Sequence, residues 1–365
     1  MKLIRTILRI IVGLVFIFSG FVKGVDPLGT VYRMNDYFQV FGMPWATQFS
    51  LVLTIFLCLL EFSLGISLLF NLWIRRMAWP LLFVMIYFTV LTFFDATLNM
   101  VPDCGCFGDA LKLTNLQTFL KNVVLLAFII VIFAGRKKFR PAIPAYAEIL
   151  VLGLFSVGFL WMSVYSYRHL PLIDFMAWKV GNRINQKSSE PVKFYLTFQS
   201  SKTGETKEFL SPDYPWSDST WMAEWKFVSQ RVDDPNATSG VALLAEDEEG
   251  NNVTSDIIDN PGYQFIFVAY DLDTADKEAF LRILPFCKKA AADGYSFVAL
   301  TASDFPEIRR FKIANGTAFD FFKADDAVLK TMVRSNPGLI LIKDGVVLDK
   351  WHYNDLPNYE DVIQE

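Results

Sequence analysis

Histidine and cysteine are scarce in this chain. Two histidines (His169, His352) and four cysteines (Cys58, Cys104, Cys106, Cys287) occur in 365 residues. Four cysteines are too few for a disulfide framework. With so few His and Cys together, a His/Cys metal site is hard to assemble, and no metal is expected. There is no Ser–His–Asp set, no phosphate-binding glycine loop and no His-Glu-x-x-His motif. Nor does any repeat or low-complexity tract stand out. The net charge is only −4, but it is unevenly spread. Up to residue 184 there are 16 Lys+Arg against 8 Asp+Glu; beyond it, 18 against 30. An acidic second part argues against nucleic-acid binding, which needs a basic surface.

What the chain has in abundance is apolar sequence: 53% of its residues are hydrophobic, more than a soluble domain of this size carries. A membrane-spanning helix needs about 20 mostly apolar residues. Five segments qualify, at about Ile4–Val22, Thr47–Phe70, Met77–Leu98, Leu116–Ala134 and Tyr146–Tyr165. The first resembles a signal peptide, with Lys2, Arg5 and Arg9 ahead of an apolar core. No small-x-small cleavage site follows it, so it reads as a retained helix. Basic residues then set the orientation. Lys2, Arg5 and Arg9, then Arg75 and Arg76, then Arg136, Lys137, Lys138 and Arg140 fall on one side if all five helices span, and that side is the cytoplasm. The loop between helices three and four, and everything after helix five, fall on the other. Pro141 and Pro144 precede helix five and its length is marginal, so an interfacial helix is the alternative. In that case the soluble part would be cytoplasmic.

Residues 167–190 read as a linker or an amphipathic connector along the membrane surface. Val192–Phe198 alternates as a strand does. Residues 200–260, with Trp216, Trp221 and Trp225, read as short strands and long turns. From Tyr263 onward the pattern is strand, helix (Thr274–Ala292), strand, helix (Asp304–Ala314), short strand (Ala318–Phe322), helix (Asp326–Val333), and a hairpin around Asp344-Gly345. That order specifies an α/β sheet with a mixed edge.

The chemistry-bearing motif is Asp103-Cys-Gly-Cys-Phe-Gly-Asp109, between helices three and four. Cys104 and Cys106 flank one glycine, and Gly105 tolerates the tight backbone a bridge would need. So small a ring is strained and reducible, which suits dithiol–disulfide exchange better than a structural staple. Asp103 and Asp109 would oppose thiolate formation. The bland reading is a loop with two unpaired or structurally bridged cysteines. Glu61, inside helix two, is either a proton- or quinone-site residue or a polar helix–helix contact. It could pair with Lys23, although Lys23 more simply snorkels to the interface. Cys58, one turn earlier, is a small apolar filler. Asp95 and Asn99, one turn apart at the end of helix three, lie near the cysteine loop and could orient it. Cys287 belongs to the buried stripe of a helix, and His352 reads as a strand-end surface residue.

Three features carry a family resemblance over residues 1–135: Gly13-Leu-Val-Phe-Ile-Phe-Ser-Gly-Phe-Val-Lys23 with Asp26-Pro27, Glu61 within helix two, and Cys104-Gly-Cys-Phe-Gly108. On these the membrane part resembles the DoxX/MauE group of small bacterial membrane proteins. The resemblance implies a four-helix core. It links the MauE-like branch to maturation of a disulfide-rich periplasmic subunit, and DoxX-like proteins to quinone-coupled sulfur or thiol oxidation. It makes Cys104 and Cys106 candidate redox residues and a quinone a candidate electron acceptor; the sequence itself requires no cofactor. The tail looks like the fused tail of DoxX-family proteins from Bacteroidetes. Its second half is similar to thioredoxin-like domains, with Asn336-Pro337-Gly-Leu-Ile-Leu-Ile standing where those carry a cis-proline, making Pro337 the candidate. It departs after the strand Phe265–Tyr270, where Asp271-Leu-Asp-Thr-Ala-Asp276 replaces the Cys-x-x-Cys pair.

The expected architecture is therefore a membrane α-helical bundle, a four-helix DoxX/MauE-like core plus a fifth helix, followed by an α/β thioredoxin-like domain. Residues 1–140 form the membrane core, 141–190 the fifth helix and linker, and 191–365 an extracytoplasmic domain with a β-rich N-terminal extension. The expected location is the bacterial cytoplasmic (inner) membrane, with the N-terminus inside and the C-terminal domain in the periplasm. Catalytic Cys104 and Cys106, supported by Glu61, Asp95, Asn99 and Lys23, would exchange electrons with an envelope protein substrate. The alternative is a non-enzymatic membrane scaffold whose redox-inactive domain binds an envelope partner. A transporter is a weaker third reading, since no inverted repeat is visible. Topology reporters fused after Arg140 and after Asn185 are expected to give opposite signals, cytoplasmic then extracytoplasmic; cytoplasmic signals from both would move the domain inside.

Overall fold

The protein's structure, a computed structural model, describes residues 2–101, 104–139, 143–184, 193–201, 205–210, 215, 219–233, 243–317 and 319–363. Asp103, Arg140, Pro141, Asn185 and Trp216 lie outside the described residues.

Among the described residues, five helices are long and apolar enough to cross a membrane. They are α1 (Lys2–Val25), α3 (Ser50–Phe70, entered through a 3-10 turn at Pro44–Phe49), α4 (Ile74–Leu98), α5 (Asn115–Ala134) and α6 (Ala145–Arg168). Between the first two lies a further helix, α2 (Pro27–Val40), in a stretch that reads as a loop from its apolar pattern. Its start is explicit once seen: the Asp26 side chain accepts from Gly29 N–H, and Pro27 occupies the first turn, where its missing N–H costs nothing.

The bundle closes around Val12, Phe16, Leu64, Leu68, Leu81, Met85, Leu125, Ile129 and Ile132, all buried. Large side chains such as Phe83, Leu150, Leu154 and Trp161 point outward and meet lipid. α1 packs mainly on α3, and glycines allow the approach. A Cβ on Gly65 would lie 2.6 Å from the Ile17 backbone nitrogen, and one on Gly20 2.7 Å from that of Phe62. At the other end of this pair Arg9 donates to the Leu68 carbonyl at 2.6 Å, a cation on the terminal carbonyls of a helix. α6 lies against α3 through the stacked rings of Phe62 and Phe159, 4.6 Å apart, and the Ser63–Ser156 hydroxyl contact at 2.9 Å.

Beyond α6 the chain forms two sheets. The first is antiparallel, in order β2-β1-β3, from β1 (Lys193–Ser200), β2 (Thr206–Leu210) and β3 (Trp225–Asp233), with α7 (Ser219–Glu224) leading into β3. After α8 (Thr254–Ile258) come β4 (Tyr263–Val268), α9 (Lys277–Ala292), β5 (Ser296–Thr301), α10 (Phe305–Asn315), β6 (Asp320–Lys323), α11 (Asp326–Met332), β7 (Gly338–Lys343), β8 (Val346–His352) and α12 (Tyr359–Ile363). The second sheet runs β6-β5-β4-β7-β8. β4, β5 and β6 are parallel, and β7 and β8 are antiparallel, so it is a mixed sheet of an α/β region. Strand alternation sorts its core. Phe265 and Phe267 face the helices α9 and α12, with Phe280, Ile283, Phe286 and Cys287. Ile266 and Val268 face the opposite side, with α11 residues Val328, Leu329 and Met332.

Two expectations are corrected here. Residues 176–184 are not a connector lying on the membrane surface. Trp178 is buried in the α/β core, and the backbone of Gly181–Ile184 bonds to Gly345 and Val347 beside β8. His352 is not a surface residue: it is 3% exposed, its Nδ1 accepts from Asn354 N–H, and burial lowers its pKa to about 4.

The α1–α3 contact generates a stability prediction. Gly65→Val forces a side chain into the Ile17 backbone and is expected to cost at least about 1–3 kcal/mol, read as a lower unfolding midpoint in detergent. Gly153→Val, where an added Cβ meets nothing within 4 Å, is expected to leave the midpoint unchanged.

Candidate functional site

The end of α1, the start of α2, the middle of α3 and the loop before α5 converge on the two cysteines. One helical turn separates Ser19 from Lys23, so both point from one face of α1 toward α3. There Lys23 Nζ lies 2.5 Å from Glu61 Oε1, and Ser19 Oγ lies 2.8 Å from Glu61 Oε2. Lys23 and Glu61 are both buried. Thus Lys23 does not snorkel to the interface. A carboxylate at membrane depth requires a partner, and the ammonium one turn from the helix end supplies it.

Ser19 also lies 2.8 Å from the Cys106 carbonyl oxygen. Ser19 therefore stands between the cysteine loop and the only carboxylate of α3.

Cys104 and Cys106 are both free and partly exposed, and their Sγ atoms lie 3.3 Å apart. Gly105 between them has φ +62°, and Gly108 φ +53°. At Gly105 the requirement for glycine is double: the backbone is left-handed, and a Cβ would lie 2.1 Å from Arg33 Cδ. The Cys104 thiol donates to the Cys106 sulfur. That bond, aided by the charges of Lys121 and Lys23 against the effect of burial, holds Cys106 below the ordinary thiol range. The same bond, together with burial, pushes Cys104 well above it. Asp109 does not oppose thiolate formation as its position in the sequence suggests, because its carboxylate is matched by Arg33 at 2.9 Å and Arg334 at 3.1 Å.

A cavity of about 540 Å³ opens below this loop within the membrane part. Its walls are mostly apolar and aromatic, with Phe16, Phe38, Phe56 and Phe88 among them. Lys23, Glu61, Arg33, Tyr37, Cys104 and Cys106 bring the polar groups. Asp95 is buried and accepts from Tyr37 Oη at 2.6 Å, so it acts on the wall through a tyrosine rather than on the cysteine loop directly. Asn99 is exposed; it ends α4 in a left-handed turn and does not line the cavity. Pro337 follows a cis peptide bond and begins the approach to β7. Cys58 and Cys287 are buried packing residues. Four site residues have no place in the sequence analysis: Arg33, Tyr37, Lys121 and Arg334. Of these only Lys121 has a local signal, as a charged residue within an otherwise apolar helix.

A family model described as methylamine utilisation protein MauE matches residues 1–135. The match spans α1 to α5 and contains the cysteine loop. No curated protein matches the chain. The five long apolar helices and this match make the chain a multi-pass membrane protein in contact with lipid.

The inequality of the two thiols is testable by pH. A thiol is alkylated through its thiolate, so labelling falls as pH drops through its pKa. Cys106 is expected to label with N-ethylmaleimide at a lower pH than Cys104. Lys121→Met should move the Cys106 profile upward, and identical profiles for the two cysteines would contradict the assignment.

Proposed function

We propose that this protein is a membrane thiol–disulfide oxidoreductase that uses Cys104 and Cys106 outside the cytoplasm. The observation that carries the reading is the pair of thiols 3.3 Å apart at the head of a largely apolar cavity, with an ion pair beside them. The family match and the basic-residue asymmetry of the loops support it.

In the oxidising direction, a substrate thiolate attacks Cys104 Sγ of the Cys104–Cys106 disulfide. A mixed disulfide forms and the bond between the two cysteines breaks. Cys106 leaves as the thiolate, as the lower-pKa sulfur does most readily. The second substrate thiolate then releases Cys104 and closes the substrate disulfide. Two electrons have passed to the protein, and the two protons lost by the substrate thiols are returned to the pair or to water. Resetting the pair needs a two-electron, two-proton acceptor. A quinone fits the aromatic and aliphatic walls of the cavity, and Lys23 and Glu61 could handle protons at the thiol end. The substrate class that fits is an envelope protein with a dithiol.

The α/β region is read as a thioredoxin-like domain, on the order β6-β5-β4-β7-β8 with α9 after β4. The segment Asp271–Asp276 that follows β4 carries no cysteine. We place it in the periplasm, at 191–365 with residues 176–184 added to its core. The absence of its own cysteine pair favours one second reading, a non-enzymatic scaffold that binds an envelope partner.

Differential alkylation with mass spectrometry, titrated against glutathione in intact membranes, separates the two. The pair is expected to cycle, with a potential above the roughly −300 mV typical of structural disulfides. Cys104→Ser or Cys106→Ser is expected to abolish exchange while leaving membrane insertion intact, and the full-length double variant should not reduce insulin. A pair that never oxidises leaves the scaffold.

A further inference from the structure

The α/β region meets the membrane part through one end of its sheet. Tyr270, two residues beyond β4, places its hydroxyl 3.3 Å from that of Tyr32 on α2. Arg334 precedes β7 beside it, and Asn336 holds the two segments together by donating to the Asp271 carbonyl at 2.9 Å. In open α/β sheets the carboxyl ends of the parallel strands are where ligands are received. Here that end receives the chain's own α2 and cysteine loop.

The contact is ionic and buried. Arg334 is 4% exposed. Its Nε donates to both oxygens of Asp26, at 3.0 and 2.9 Å, and its Nη2 donates to Asp26 Oδ2 at 2.8 Å and to Asp109 Oδ2 at 3.1 Å. The other oxygen of Asp109 accepts from Arg33 Nη2 at 2.9 Å. The stem of Arg33 fills the space a side chain on Gly105 would occupy. A continuous line therefore runs from Arg334 through Asp109 and Arg33 to the residue between the two cysteines. The α/β region supplies the guanidinium that Asp26 and Asp109 share, and Asp109 also faces Arg33 from the membrane part. A buried charge that loses its partner is costly, so the loop cannot keep this arrangement unchanged without Arg334.

We propose that Arg334 is a positioning residue for the cysteine pair: through Asp109 and Arg33 it fixes Gly105 and both thiols, so the site is complete only with the α/β region docked. The significance of this rests on the reading of Cys104 and Cys106 as the reactive pair. Arg334 itself touches neither thiol. It makes the C-terminal region part of the site without lending it a cysteine, and it gives a protein that binds that region a physical route to the thiols.

The test uses the full-length protein in membranes with both thiols reduced. The rate of N-ethylmaleimide alkylation is measured separately at Cys104 and Cys106 for Arg334→Ala, Arg334→Lys, Asp109→Asn and Ile283→Ala. Arg334→Ala and Asp109→Asn are expected to change the labelling rates in the same direction, by about fivefold or more, as a coupling of ordinary size would. Arg334→Lys keeps the charge but not the fork and should recover part of the wild-type rate. Ile283→Ala empties part of the core beneath α9; it should lower thermal stability and leave the labelling alone. Wild-type labelling in both Arg334→Ala and Asp109→Asn overturns the proposal. So does an Ile283→Ala effect as large as that of Arg334→Ala, which would mean general loosening. If Arg334→Ala fails to accumulate, Asp109→Asn decides, since it leaves the Arg334–Asp26 pair intact. Alkylation requires only reduced thiols, so a pair that never cycles would sink the redox reading and leave this measurement readable.

Discussion

A carboxylate placed at membrane depth must be neutralised where it stands, and much of the membrane part can be understood from that requirement at Glu61. It is buried, and its partner comes from a neighbouring helix. Lys23 reaches it at 2.5 Å because α1 and α3 are in close contact. They are in close contact because Gly20 and Gly65 let backbone meet backbone. Once Lys23 is drawn inward, the end of α1 is set, and with it Val22 and Ser19, the residues on which the cysteine loop rests. The loop's geometry thus follows from a helix-packing solution to an electrostatic problem.

The same logic operates one layer out. Asp26 caps α2 and Asp109 closes the cysteine loop, and each would be an uncompensated charge near the membrane surface. Arg33 and Arg334 answer them. Burial works against a charged Arg334, yet the two carboxylates hold its pKa above the ordinary value. The two regions of the chain are therefore joined by buried ion pairs as well as by apolar area. Such a joint has directional geometry: a bidentate guanidinium accepts few orientations of its partner.

Much of this was legible from the chain and some was not, for identifiable reasons. The apolar runs located α1, α3, α4, α5 and α6 to within a few residues, because length and composition alone decide what can cross a bilayer. Short apolar runs located β4, β5 and β7, and the Asp344-Gly345 turn located the hairpin to β8. α2 was missed although Asp26-Pro27 is a helix-start signal, since a short helix of mixed polarity has no strong period. The Lys23–Glu61 pair was one of two open readings, because one helical surface does not reveal which neighbour it faces. Arg334 was invisible: its partner Asp26 is 308 residues away, and no local pattern encodes that. His352 and Trp178 were misplaced because the sequence shows strand ends and linkers, but not what later packs over them.

The α/β region is attached at a second place as well. Asn354, just past β8, donates to the Arg168 carbonyl at the end of α6 at 2.7 Å, and His169 lies 2.6 Å from Asp355. Two attachments define an axis. A rigid body pinned at two points keeps a single rotation about the line between them, and releasing either pin converts that rotation into a swing about the other. The Arg334 pin is buried and ionic, whereas the α6 pin is exposed and built partly on a histidine. Because water and salt reach the second more easily than the first, added salt weakens the α6 pin before the Arg334 pin.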